Sequence, residues 1–139
     1  MSKPKVIGIG GVFFKAKQPD ILRAWYRDAL GFHLNHYGSS FEFRNANDPE
    51  QINYFLWSAL SSQTDYFWPS KKNFMINYRV NNLEAILEEL QESGVTVIDE
   101  ISTYPYGKFV HILDPEGNAI ELWEANDDFF TEIIGPTNK

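Results

Sequence analysis

The sequence predicts an α+β fold: two tandem βαβββ modules whose curved mixed sheets enclose a ligand cleft, with one helix per module on the outside. Three observations carry this expectation. Stretches rich in β-branched and aromatic residues surround a helical stretch in the same order twice. Each helical stretch stops at a glycine, Gly31 and Gly94. The chain has 139 residues, 43% of them hydrophobic, which suits one domain able to bury its own core.

Residues 6–16 read as the first strand. Pro19 and Asp20 suit a helix N-terminus, and Ile21, Leu22, Trp25, Ala29 and Leu30 then recur at helical spacing up to Gly31. Two short strands follow near 32–37 and 40–45, and a fourth near 52–57. The order restarts with a strand at 74–80. Asn81 and Glu84 have the spacing of a capping box for a helix whose apolar face is Leu83, Ile86, Leu87 and Leu90. Strands are expected at 95–98, 108–113 and 119–123, the last two joined by the turn sequence Asp114-Pro115-Glu116-Gly117-Asn118. Module one therefore spans about 6–58, a connecting loop 59–72, module two 73–124, and a C-terminal tail 125–139. The loop carries Tyr66-Phe67-Trp68, a ring cluster suited to covering a cavity, making a subunit contact or packing on the sheet.

Composition narrows the partners. A formal net charge of −7 makes nucleic acid a poor partner. With no cysteine, disulfides, thiolate metal sites and cysteine nucleophiles are excluded. No segment approaches the run of about 20 apolar residues that a membrane helix needs. The expected localisation is cytoplasmic. Aromatic residues reach 16%, enough to line a pocket with rings as well as fill a core. No dinucleotide loop, P-loop, nucleophile elbow or HExxH helix is present.

Two segments resemble a known family. Trp25-Tyr26-Arg27-Asp28-Ala29-Leu30-Gly31-Phe32 is similar to the helix-end motif FYxxxLGF of the vicinal oxygen chelate superfamily. That superfamily contains glyoxalase I, bleomycin- and fosfomycin-resistance proteins and extradiol dioxygenases. Leu113 to Leu122 resembles its DPxGxxIEL signature. The resemblance implies a divalent metal (Zn, Ni, Mn or Fe) held by His and Glu on inner strands of both modules, and a homodimer. Carried over position by position, those ligands fall at Gly11, near Phe55, at Met75 and at Glu121. Glycine has no side chain, phenylalanine cannot ligate, and a thioether is too soft for these ions. Only Glu121 survives, so no metal or other cofactor is expected, a divalent ion entering only under the enzyme reading below.

A regular hairpin around 114–118 places His111 opposite Glu121 on one face. Such a pair reads as a satisfied polar contact at the sheet rim, as an orienter of a ligand, or as a catalytic general base with its carboxylate partner. Strand alternation adds Phe13, Lys15, Phe55, Trp57, Met75, Asn77 and Arg79 as candidate pocket residues. Lys15 and Arg79 would meet an anionic group at the cleft mouth, or else be solvated strand ends; the rings and Met75 serve equally as core. Three functions follow, one of them an interaction or accessory protein whose cleft is vestigial. The first is a metal-independent protein binding a small, partly aromatic or anionic ligand. The second is a glyoxalase-type lyase or isomerase, or another enzyme of the superfamily, using His111 and Glu121.

Overall fold

The computed structural model describes residues 3–35 and 38–139. The expected position of His36 in a strand therefore lies outside the described residues. The elements run β1 (Val6–Ala16), α1 (Pro19–Leu30), β2 (Leu34–Asn35), β3 (Gly38–Arg44), β4 (Ile52–Ser61), β5 (Phe74–Val80), α2 (Leu83–Glu92), β6 (Ser102–Tyr104), β7 (Gly107–Leu113), β8 (Ala119–Ala125) and α3 (Asp127–Ile133).

All eight strands join one open, curved mixed sheet in the order β2-β3-β4-β1-β5-β8-β7-β6. The central strands β1 and β5 are antiparallel, and each has a parallel neighbour on its other side, β4 and β8. Parallel pairing requires a crossover connection, and α1 and α2 lie within those crossovers. The fold class is α+β, as the sequence predicts.

Both main helices pack on the convex face. Under α1, Trp57 meets Phe14, Tyr26 and Phe32 at ring-centroid distances of 4.6–5.3 Å. Under α2, Leu83 and Ile86 pack with Val80, Val110, Ile112 and Leu122. Gly31 ends α1 in the left-handed conformation, with φ 74°, returning its N–H to Arg27 O. Asn82 caps α2 by accepting from Ala85 N, not Asn81 as the capping-box spacing suggests. The Asn81 side chain is instead spent on the backbone of Lys3 and Lys5.

One further expectation needs correction. Residues 95–98 contribute only an isolated bridge, Val97 to Ile112, and the regular edge strand lies later, at Ser102–Tyr104. The adjacent rings Phe129 and Phe130 in a polar tail suggest that the tail docks. Asn126 caps α3, Phe130 is 1% exposed against Tyr54 and Trp123, and Asn138 bonds Ser39 and Ser40. Phe130 thus docks on its own sheet's concave face.

Candidate functional site

On the concave face one row of residues crosses five strands. Leu56 on β4 is level with Gly11 on β1, Gly11 with Asn77 on β5, Asn77 with Glu121 on β8, and Glu121 with His111 on β7. A bulge at Gly10 sets this row, because the β1–β5 register shifts between Ile9 and Gly11. The bulge needs glycine. A Cβ at residue 10 would lie 2.1 Å from Asn77 Oδ1, and one at residue 11 would lie 2.7 Å from the Leu56 carbonyl oxygen.

Glu121, between Asn77 and His111 in the row, is only 2% exposed. A buried carboxylate must be hydrogen-bonded or neutralised, and here the protein supplies every partner. Asn77 Nδ2 donates to Oε1 at 2.6 Å, while the Tyr66 hydroxyl and His111 Nε2 both meet Oε2, the latter at 2.8 Å. His111 is held from its other side by Asp99. One Asp99 oxygen lies 2.6 Å from Nδ1 and the other accepts the His111 backbone N–H at 2.8 Å. The imidazole therefore bridges two carboxylates, which suits a ring protonated on both nitrogens.

The electrostatics follow from this packing. Burial works against a charged His111, but the hydrogen bonds and charges of Glu121 and Asp99 outweigh it and raise its pKa above the ordinary value. Burial, together with the charge of Glu121, pushes the Tyr66 phenol far above its ordinary pKa. Tyr66 is thus a neutral donor at any physiological pH. Its ring stands edge-on to His111 at 5.4 Å and to Phe13 at 6.3 Å.

Beside Glu121 lies a cleft of about 310 Å³, walled by Phe13, Leu56, Tyr66, Phe109 and Phe130 among others. Of the sequence-predicted residues, the structure brings Phe13, Asn77, His111 and Glu121 to this place. Met75 is fully buried beneath it, opposite Phe13. The β5 residue level with Glu121 is Asn77 rather than Met75. Lys15 extends along the same face, its Nζ 5.8 Å from the Phe67 ring centre. Arg79 does not reach the mouth as a free cation. It is buried, donating to Tyr54 O at 3.1 Å, pairing with Asp127 of α3 and lying over Trp123. Neither Phe55 nor Trp57 lines the Glu121 cleft: Phe55 packs on Phe41 and Phe43 and borders a separate gap, and Trp57 lies under α1, both on the convex face. The β4 register is one residue from the expected one, and a one-residue slip exchanges the two faces. Leu56, Ser58 and Leu60 take the cleft side.

Sequence reasoning missed Asp99, Leu56, Phe109 and Phe130, and found Tyr66 only as part of an unexplained ring cluster. The donor set does not suit a divalent ion. Gly11 and Leu56 offer nothing to it, and Glu121 is already saturated by protein donors. Among the described residues no three His, Cys, Asp or Glu side chains converge on a metal-sized site.

A family sequence model described as the Glyoxalase/Bleomycin resistance protein/Dioxygenase superfamily matches residues 12–122. The chain belongs to this superfamily. A search of curated proteins gives no significant match. Among solved structures, the superfamily chain is similar to methylmalonyl-CoA epimerase from Mycobacterium tuberculosis, with 21% identity, TM-score 0.60, and 94% of this chain and 96% of that one covered. A single-residue variant of Streptomyces coelicolor methylmalonyl-CoA epimerase, in complex with 2-nitronate-propionyl-CoA, aligns with TM-score 0.63 at 16% identity, covering 88% and 99%. A superfamily member from Vibrio splendidus 12B01 aligns with TM-score 0.52 at 10% identity, covering 88% and 99%. At these identities the likeness is one of fold.

Proposed function

We propose that this superfamily member is a small-molecule-binding protein that takes a compact, partly aromatic ligand in the cleft beside Glu121 without a metal. The observation that carries this reading is the state of Glu121. Its two oxygens are occupied by Asn77, Tyr66 and His111, while the surrounding walls are mainly rings and leucines. A ring-walled cleft with a few fixed polar groups binds by apolar burial and is oriented by those groups. A ligand donor would meet the Tyr66 hydroxyl oxygen at the cleft's edge. An anionic group would rely on Lys15, since Arg79 is committed to Asp127. The superfamily's usual pairing into homodimers is part of this proposal.

The test joins two titrations of the intact chain. Trp123 stacks on Phe109, a cleft wall, at 5.5 Å, so its fluorescence reports an occupant. Quenching by some members of a panel of aromatic metabolites and antibiotics is expected, and uniform silence at millimolar ligand overturns the binding reading. Zn, Ni, Mn and Fe ions should leave the melting temperature unchanged, because an ion bound tightly to the native state must raise it.

The Asp99–His111–Glu121 chain favours a second reading, proton transfer by a lyase or isomerase. Methylmalonyl-CoA epimerases are among the structural neighbours. Incubation of methylmalonyl-CoA with the protein in D₂O tests one such activity. Deuterium uptake at the substrate's α-carbon that disappears in Glu121→Gln would favour this reading over simple binding.

A further inference from the structure

A second recess lies outside the Glu121 cleft, elsewhere on the sheet. β1 begins at Val6 and β4 at Ile52, yet the two pair only from Gly11 and Leu56 onward. Ahead of that point they splay, and a gap of about 660 Å³ opens between them. We propose that this gap binds a small anion carrying a flat apolar body, such as an aryl phosphate or an aromatic carboxylate.

The charge of the lining is the first argument. The chain carries −7 overall, yet the gap is bordered by Lys5, Arg44 and Arg79, and no Asp or Glu is among its described lining residues. Among the described residues neither Lys5 nor Arg44 is in a salt bridge. A locally cationic recess on an acidic protein concentrates anions against the general field. Arg79 forms the floor; its two terminal nitrogens are committed to Tyr54 O and Asp127, but its buried Nε has no acceptor among the described residues.

The walls are the second argument. Ile9 and Phe43 are 46% and 54% exposed, unusual for large apolar side chains flanking a recess. Four asparagines, at 45, 47, 53 and 81, stand at the border; Asn81 is fixed there by its bonds to the Lys3 and Lys5 backbone, and the Asn45 oxygen accepts from the N–H groups of Asn47 and Asp48. Apolar walls, a cationic border and fixed amides together select an anion with a hydrophobic body over a bare inorganic ion.

Phenyl phosphate is the probe, with inorganic phosphate and benzyl alcohol as its two halves, titrated calorimetrically into the 139-residue chain. Saturable phenyl phosphate binding is expected, tighter than either half, with shifts of the Asn53 and Asn81 side-chain amide signals in NMR spectra. The double variant Lys5→Glu/Arg44→Glu should weaken it by about tenfold or more, equivalent to about 1.4 kcal/mol. Both residues are exposed, so the fold should survive the change. Tyr66→Phe, which alters the Glu121 cleft, should leave the affinity unchanged. The proposal is overturned by any of three results: no saturation at millimolar phenyl phosphate, equal affinity in the double variant, or NMR shifts confined to the Glu121 cleft.

Discussion

His111 lies with one ring nitrogen 2.8 Å from Glu121 and the other 2.6 Å from Asp99, so a single imidazole joins a buried carboxylate to a half-exposed one. With its pKa raised, the folded state binds a proton more tightly than the unfolded chain. That contribution to stability is complete below the unfolded value, about 6.5, and is lost as pH rises through the raised folded-state pKa. Urea unfolding across this window should show stability falling with pH, and His111→Gln should flatten the slope. NMR titration of the ring gives the direct check, with a lower pKa in Asp99→Asn.

Tyr66→Phe removes one donor from the buried Glu121 carboxylate while keeping the ring. A hydrogen bond to a charged group contributes about 1.5–3 kcal/mol. Tyr66 is 46% exposed and water can partly replace its hydroxyl, so a loss of about 1 kcal/mol is expected. Denaturant midpoints measure it, and an unchanged midpoint would show that this contact is not formed in solution.

Gly10→Ala tests the bulge. The new methyl would meet Asn77 Oδ1 at 2.1 Å, and overpacking of this kind costs about 1–3 kcal/mol. Asn77→Ala alone strips a donor from Glu121. Combining the two relieves the clash, so the double variant should be more stable than the sum of single losses, by about 1 kcal/mol or more. Strict additivity would mean that Gly10 and Asn77 do not touch.

Asp127→Asn breaks the pair that fastens α3 to β5. Removing one partner of a buried ion pair costs about 3–5 kcal/mol, and the guanidinium of Arg79 keeps only Tyr54 O and the face of Trp123. Hydrogen exchange should accelerate first in residues 127–133. Near-ultraviolet circular dichroism should report Phe130 leaving Trp123.

The parts legible in the sequence are those where local chemistry decides the backbone. Asp114 accepts from the N–H groups of Glu116 and Asn118, Gly117 takes φ 81°, and this turn alone sets His111 opposite Glu121. β4 is not legible to the residue, because Ile52–Ser61 is apolar at both parities and its alternation has no polar face to read. The β1 bulge escapes for a related reason: glycines announce an irregularity without saying which residue is skipped. Asp99 stands in an irregular stretch before β6, where neither period nor turn signal marks it. Phe130 suggests docking by its polar surroundings, but which surface it meets depends on contacts distant along the chain.

The seating of Phe130 has a consequence for how such a protein diversifies. One wall of the Glu121 cleft is contributed by a short terminal helix held mainly by Arg79, the Tyr54–Thr131 hydroxyl contact and the Asn138 clasp. The sheet supplies the fixed chemistry, and the terminus sets how much room is left above it. Exchanging those last residues would therefore change the size and shape of an acceptable guest while leaving the carboxylate, its tyrosine and its histidine where they stand.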